Sequence, residues 1–191
     1  MRIAITGHTN GIGRALASVL KSRDHEILGL SKREGHNIRS FAKIANLIEP
    51  CDVFINNAQA SYAQTELLYE VWNKWRSKDN KHIWCISTIM TQHPVDPPIQ
   101  GQEEIAINHY RTQKIAMEEA VNQLRAKKGS PRITIIRPGG VATLPGQTPG
   151  DFLCDPDEWA QLIVDTMALA DARGMKFSDL SLGKSKVQVG I

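Results

Sequence analysis

Short apolar runs alternate with longer segments of helical periodicity along the whole chain. Apolar residues in the longer segments recur every three or four positions, which is typical of helices with one buried face. The short runs are apolar throughout rather than alternating, which is typical of a parallel sheet that helices cover on both faces. The sequence therefore predicts an α/β fold, a doubly wound parallel sheet forming a single domain over residues 1–191. The predicted strands are Arg2–Thr6, Glu26–Leu30, Asp52–Asn56, His82–Ser87, Arg132–Arg137 and Ser178–Leu182.

Charge and hydropathy exclude two classes of partner. The chain of 191 residues carries 23 Lys and Arg against 20 Asp and Glu, which gives a net charge of +3 with both signs interspersed. No basic run is flanked by stacking aromatic residues, so we expect no nucleic-acid partner. No stretch approaches the roughly 20 apolar residues of a membrane-spanning helix, so we expect no membrane partner.

The cysteines and histidines follow no metal-ligand spacing, so we expect no metal site. The three cysteines, Cys51, Cys85 and Cys154, cannot all pair, and two of them border or lie in apolar runs. Because the chain also starts on a strand-like MRIAIT without a signal-peptide pattern, we expect free thiols and a cytoplasmic protein. The histidines expected in loops or on the surface are His8, His93 and His109.

A glycine-rich turn, Thr6-Gly7-His8-Thr9-Asn10-Gly11-Ile12-Gly13, follows the first predicted strand directly. A strand, a glycine turn and a helix aim backbone N–H groups and the helix N-terminus at a pyrophosphate. Glycines permit positive φ angles and let a phosphate approach the backbone closely. Alternatively, the three glycines serve only the turn. We favour a Rossmann-type dinucleotide site, and the residues of the turn expected to contact the cofactor are Gly7, Thr9, Asn10, Gly11, Ile12 and Gly13.

The end of the second predicted strand bears on cofactor choice. An acid at this position binds the adenosine ribose and repels a 2′-phosphate, whereas a cation attracts the phosphate. The sequence has Ser31, Lys32 and Arg33 here, a hydroxyl and two cations without an acid. This favours NADP(H), with NAD(H) as the second candidate. In the alternative interpretation, Lys32 and Arg33 are solvated loop charges.

Five short motifs follow one another along about three quarters of the chain: Thr6–Gly13, Asn56–Ala58, Ile86–Ser87, Tyr110–Lys114 and Pro138–Thr143. In order and position they resemble the motifs of the short-chain dehydrogenase/reductase family. The first resembles the cofactor motif TGxxxGxG, and the second the first three residues of NNAG. The third resembles the strand end with the catalytic serine, the fourth YxxxK and the fifth PGxxxT.

The resemblance implies roles for three candidate catalytic residues. Tyr110 would be the general acid/base, and Lys114, one helical turn further on, would stabilise the phenolate and bind the nicotinamide ribose. Ser87 would hydrogen-bond the substrate oxygen. Alternatively, Tyr110 and Lys114 belong to an ordinary amphipathic helix, although a lysine on an apolar stripe argues against that. Further residues that the resemblance assigns to the cofactor are Asn37, Ile38, Asn57, Ala58, Gln59, Pro138, Gly139, Val141 and Thr143.

The sequence also departs from the family pattern. Gln59 stands where the family usually has glycine, which alters the nicotinamide-ribose side of the site. The family's fourth catalytic residue, an asparagine, has Asn73 as its nearest candidate. Two loops, residues 88–102 and 144–154, follow predicted strands and are therefore expected beside the substrate at the carboxyl edge of the sheet.

The combined prediction is an NADP(H)-preferring oxidoreductase that transfers a hydride between nicotinamide and a small-molecule carbonyl or secondary alcohol. One alternative is an NADP-binding redox sensor or regulatory protein with little turnover. A second is an extended-type epimerase or dehydratase. By resemblance, two copies would pair through the helices that hold Trp72, Trp75 and Tyr110, which predicts a homodimer or a monomer. The sequence carries no code for the substrate itself.

Overall fold

Six strands and five α-helices alternate along the residues that the computed structural model describes, 1–92, 104–150 and 152–184. The strands are β1 (Arg2–Thr6), β2 (Glu26–Leu30), β3 (Val53–Asn56), β4 (His82–Ile86), β5 (Arg132–Pro138) and β6 (Asp179–Leu182). The helices are α1 (Gly11–Lys21), α2 (Phe41–Ile48), α3 (Ala63–Trp75), α4 (Glu104–Arg125) and α5 (Pro156–Ala172). Each predicted strand is present, with its ends shifted by at most one residue.

The strands form one parallel sheet in the order β2-β1-β3-β4-β5-β6. The chain moves from β1 to one side to form β2, and then crosses back through α2 to build β3 to β6 on the other side. The order therefore reverses beside β1, and in such sheets a crevice opens there at the carboxyl ends of the strands. The doubly wound, Rossmann-type prediction is confirmed.

Two hydrophobic layers cover the sheet, which explains why its strands are apolar throughout. On one face α2, α3 and α4 pack on residues such as Phe54 and Cys85, and on the other α1 and α5 pack on residues such as Ile55 and Trp84. Trp72 and Trp75 on α3 are buried in the first layer. These two indoles are therefore core residues.

Within the described ranges, no helix is long and apolar enough to cross a membrane. The same ranges contain no group of three or more His, Cys, Asp or Glu side chains arranged to hold a metal ion. The thiols of Cys51, Cys85 and Cys154 are free.

Candidate active site

Two adjoining pockets line the crevice at the carboxyl edge of the sheet. The first, of about 440 Å³, lies at the ends of β1, β2 and β3. The second, of about 200 Å³, lies at the ends of β4 and β5, and it shares Asn57 and Gln59 with the first. The predicted cofactor residues in the first pocket are Gly7, Thr9, Asn10, Ser31, Lys32, Arg33, Asn37, Ile38, Asn57, Ala58 and Gln59. Those in the second are Ile12, Asn57, Gln59, Tyr110, Lys114, Pro138, Gly139, Val141 and Thr143.

The glycine turn has the geometry that a close-packed phosphate loop requires. Gly7 and Gly11 have positive φ angles of +71° and +51°, which side chains rarely tolerate. A Cβ on Gly13 would lie 2.3 Å from the Gly7 carbonyl oxygen, so only glycine fits between the turn and α1. A Cβ on Gly11 would lie 3.2 Å from Thr143, which places the last residue of the Pro138–Thr143 motif over the turn.

The Thr6 hydroxyl and backbone tie β1 to the segment after β3. Thr6 Oγ1 accepts hydrogen bonds from the backbone N–H groups of Asn57 and Ala58, each at 3.0 Å. The Asn57 side chain donates in turn to the Thr6 carbonyl oxygen at 2.9 Å. These bonds join the carboxyl ends of β1 and β3, which lie at the floor of the crevice.

An acid, Glu34, lies close to Ser31, one of the residues that line the first pocket at the end of β2. A short 3₁₀ helix, Lys32–Glu34, folds Glu34 back to the end of β2. The Ser31 hydroxyl donates to the Glu34 carboxylate at 3.3 Å, and His8 Nε2 lies 3.3 Å from the same oxygen. Lys32 and Arg33 are exposed beside it. The strand end itself carries a hydroxyl and two cations, as predicted, and the structure adds the contact of Ser31 with Glu34, three residues later.

Lys114 is the most deeply buried charged group of the second pocket, with 3% of its surface exposed. Its ammonium donates to the Gln64 side-chain oxygen at 2.8 Å and to the Ile86 carbonyl oxygen at 2.7 Å. The Tyr110 ring centroid lies 5.5 Å from the same nitrogen. Burial lowers the pKa of Lys114 to about 7, although the neighbouring Cys85 and Glu118 oppose that shift.

Gln64, on the first turn of α3, is a site residue that sequence reasoning missed. Its amide nitrogen donates to the carbonyl oxygens of Asn56 at 2.7 Å and Ile86 at 3.1 Å, which leaves its oxygen aimed at Lys114. Asn73, the candidate for a fourth catalytic residue, is exposed near the other end of α3. That candidate is wrong, since Gln64 is the α3 residue that contacts Lys114.

The two hydroxyl residues after β4 face different partners. The Ser87 hydroxyl donates to the Glu118 carboxylate on α4. The Thr88 side chain lies beside Tyr110 in the second pocket, and its hydroxyl oxygen accepts from the Met90 backbone N–H at 3.4 Å. Burial raises the pKa of Tyr110 above its ordinary value, and the Thr88 hydrogen bond opposes that rise. The sequence signal, a hydroxyl residue at the end of a strand, fits both residues and could not separate them.

Gln59 crosses the crevice between the two pockets. Its side-chain nitrogen donates to the Gln113 side chain on α4, immediately before Lys114. A glycine at this position, as in the family motif, would leave that gap open. Gln59, where the family usually has glycine, thus connects the loop after β3 to α4.

The two predicted substrate loops are partly described. Residues 93–102 of the loop 88–102, with His93, lie outside the described residues. In the loop 144–154, the Gln147 side-chain oxygen accepts bonds from the backbone N–H groups of Thr143 and Leu144, each at 3.1 Å. Leu144 and Phe152 of this loop are exposed apolar residues.

Comparison with known proteins identifies the family. Residues 3–144 match the model of the NAD dependent epimerase/dehydratase family. The short-chain dehydrogenase/reductase from Vibrio parahaemolyticus is 17% identical, with a TM-score of 0.72 and coverage of 96% of both chains. The short-chain dehydrogenase from Streptomyces avermitilis is 16% identical, with a TM-score of 0.71 over 95% of this chain and 88% of that one.

A third similar structure is the NADPH-dependent 3-quinuclidinone reductase from Rhodotorula rubra. It is 16% identical, with a TM-score of 0.72 over 95% of this chain and 89% of that one. No curated protein sequence matches significantly. The structural likenesses establish the fold, and the family model covers about three quarters of the sequence. The chain thus belongs to the NAD dependent epimerase/dehydratase family and has the fold of the short-chain dehydrogenases.

Proposed function

We propose that the protein is an NADP(H)-preferring oxidoreductase that transfers a hydride between nicotinamide and a small-molecule carbonyl or secondary alcohol. The observation that carries this proposal is the grouping of Tyr110, Thr88 and Lys114 in one pocket that adjoins the glycine-lined pocket. The residues fit a dinucleotide, because Gly7, Gly11 and Gly13 lack the Cβ atoms that would crowd the turn before α1. A bound nicotinamide supplies the hydride, and the protein supplies placement and proton transfer.

Tyr110 is the proposed proton donor and acceptor at the substrate oxygen. The Thr88 hydroxyl favours the phenolate over the neutral phenol, and the Lys114 ammonium lies 5.5 Å from the centroid of the Tyr110 ring. Gln64 holds Lys114 in place and supplies an acceptor for the ammonium. We assign to Lys114 the additional role of binding the nicotinamide ribose.

We assign the orientation of the substrate oxygen to Thr88 rather than to Ser87. The Ser87 hydroxyl is engaged with Glu118, whereas the Thr88 hydroxyl is beside the proton donor. Thr88→Val should therefore lower kcat by roughly 10²- to 10³-fold, the range for loss of one donor to a developing oxyanion. Ser87→Ala is the matched control and should have a smaller effect. Both variants should keep the NADPH dissociation constant. Equal losses of kcat in the two variants would contradict the assignment, and a larger loss in Ser87→Ala would reverse it.

The preference for NADP(H) rests on Lys32 and Arg33, whose exposed cations can meet a 2′-phosphate. Glu34 opposes this preference, because its carboxylate repels a phosphate. Its contacts with His8 and Ser31 reduce that repulsion. The Rhodotorula rubra reductase of similar fold is NADPH-dependent. We expect tighter binding of NADPH than of NADH by isothermal titration calorimetry, and a tighter complex with NADH would contradict the preference.

Epimerisation or dehydration with a retained cofactor is the second candidate function, because the matching family model bears those activities in its name. The two functions differ in cofactor consumption. We expect net oxidation of NADPH on a panel of aldehydes, ketones and quinones. If the protein instead purifies with a bound nucleotide and consumes none on any member, the second function or the sensor is favoured.

A further inference from the structure

Three residues on one face of α4 contact consecutive residues at the end of β4. Tyr110, Lys114 and Glu118 lie four positions apart, so they follow one another turn by turn along the helix. Lys114 binds the carbonyl oxygen of Ile86, Glu118 accepts from the hydroxyl of Ser87, and Tyr110 meets the side chain of Thr88. The proposed function uses the first two members of this helical row and leaves Glu118 without a role.

Glu118 is an enclosed carboxylate fixed by a bidentate ion pair, with 13% of its side chain exposed. Arg137 Nε and Nη2, from the end of β5, donate to its two oxygens at 3.0 and 2.7 Å. The remaining nitrogen of Arg137 lies 2.9 Å from Asp179 on β6, which anchors the guanidinium in turn. A carboxylate held in this way is charged and has one orientation.

The same carboxylate accepts hydrogen bonds from residues on both sides of Thr88. Ser87, the preceding residue, donates its hydroxyl to Glu118 Oε1. Thr91, three residues later, donates to the same oxygen at 2.8 Å, and its hydroxyl also lies 2.9 Å from the Thr88 carbonyl oxygen. The backbone that carries Thr88 is thereby fastened to α4, the helix that carries Tyr110.

We propose that Glu118 is a positioning residue that holds the Thr88 hydroxyl against Tyr110 by binding Ser87 and Thr91. The bonds from Ser87 and Thr91 to Glu118 carry this inference, together with the shared pocket of Thr88 and Tyr110, and only the consequence for turnover rests on the proposed function. A purely structural Glu118 would stabilise the fold without changing the bond between Thr88 and Tyr110. The two accounts differ in a property of Tyr110 that can be measured without any substrate.

The test is an NMR titration of tyrosine side chains labelled with ¹³C at Cζ in the full chain, with the Tyr110 signal assigned by Tyr110→Phe. Since the Thr88 hydrogen bond lowers the pKa of Tyr110, Glu118→Gln should raise that pKa, by roughly half a pH unit to one unit. Thr88→Val should raise it as much. Loss of the carboxylate charge alone would move the pKa downward, so the sign separates positioning from simple electrostatics.

The double variant provides the decisive comparison. Adding Glu118→Gln to Thr88→Val should leave the pKa of Tyr110 where Thr88→Val put it, because the hydroxyl to be positioned is gone. An effect through Lys114, which lies 5.5 Å from the Tyr110 ring, would persist in that background. Glu119→Gln is the matched control, since Glu119 is the exposed neighbour whose carboxylate bonds Gln123 at 3.0 Å.

Thr91→Val keeps the inference testable if Glu118→Gln leaves Arg137 unpaired and fails to fold. This variant removes one of the two hydrogen bonds to Glu118 and should raise the pKa of Tyr110 by less than Glu118→Gln does. On any substrate found, Glu118→Gln should lower kcat roughly 10- to 100-fold with the KM for NADPH unchanged. An unchanged or lowered pKa of Tyr110 in both variants would overturn the inference. A raised pKa without turnover on any substrate would sustain the positioning role and contradict the proposed function.

Discussion

The two ends of the crevice are built in opposite ways. At the catalytic end, Lys114 and Glu118 are enclosed and each meets several fixed partners. At the adenosine end, Lys32, Arg33 and Glu34 are exposed on a single turn of 3₁₀ helix. Buried charges need partners that hold them in one geometry, whereas exposed charges are solvated in many. The proposed catalytic residues are therefore held in one geometry, whereas the proposed choice between the two cofactors would rest on weak, solvent-screened forces.

Removal of the Lys114 side chain is expected to weaken cofactor binding more than removal of the Lys32 or Arg33 side chain. In the cofactor-free protein its pKa is about 7, against an ordinary value of 10.5, so its charge is lost as the pH rises through 7. If the charged form binds the cofactor, the NADH dissociation constant should rise between about pH 6 and about pH 9, by up to roughly tenfold per pH unit above 7. Lys114→Met should bind weakly at every pH and lose this slope. Fluorescence titration with NADH avoids the 2′-phosphate, which titrates in the same range.

A pH-independent dissociation constant in the wild type, or an unchanged slope in Lys114→Met, would show that the buried ammonium does not contact the cofactor. It would also remove the contrast between the two ends. Lys128→Met is the control, because Lys128 is exposed and lies before β5, at the opposite edge of the sheet.

The adenosine end should respond weakly. Lys32→Ala and Arg33→Ala should each weaken NADPH binding by about two- to fivefold, the range for an exposed ion pair, and added salt should erase the effect. Glu34→Gln should strengthen NADPH binding by a similar factor, because it removes an acid that repels the 2′-phosphate. Calorimetry at low and high salt measures both. A loss of NADPH affinity by several orders of magnitude in Lys32→Ala or Arg33→Ala would mean that the charges at this end are held as rigidly as those at the other.

The same contrast explains what could be predicted from the sequence. The apolar runs placed the strands within one residue, and a spacing of four placed Tyr110 and Lys114 on one face of α4. Those inferences depend on repeating geometry. The direction of Ser87 and Thr88 depends on the backbone of a 3₁₀ turn, and the link between Gln64 and Lys114 joins residues 50 positions apart. Glu34 was missed for the same reason, since a turn brings it back to Ser31.

The most direct test of the account is the rate of NADPH oxidation by Tyr110→Phe relative to wild type, at saturating NADPH with any carbonyl substrate that the panel yields. The substitution removes one oxygen from a residue whose hydroxyl is the proposed proton donor. The account predicts a fall in kcat of roughly 10²- to 10⁴-fold with the NADPH dissociation constant unchanged. A wild-type rate in Tyr110→Phe would contradict it.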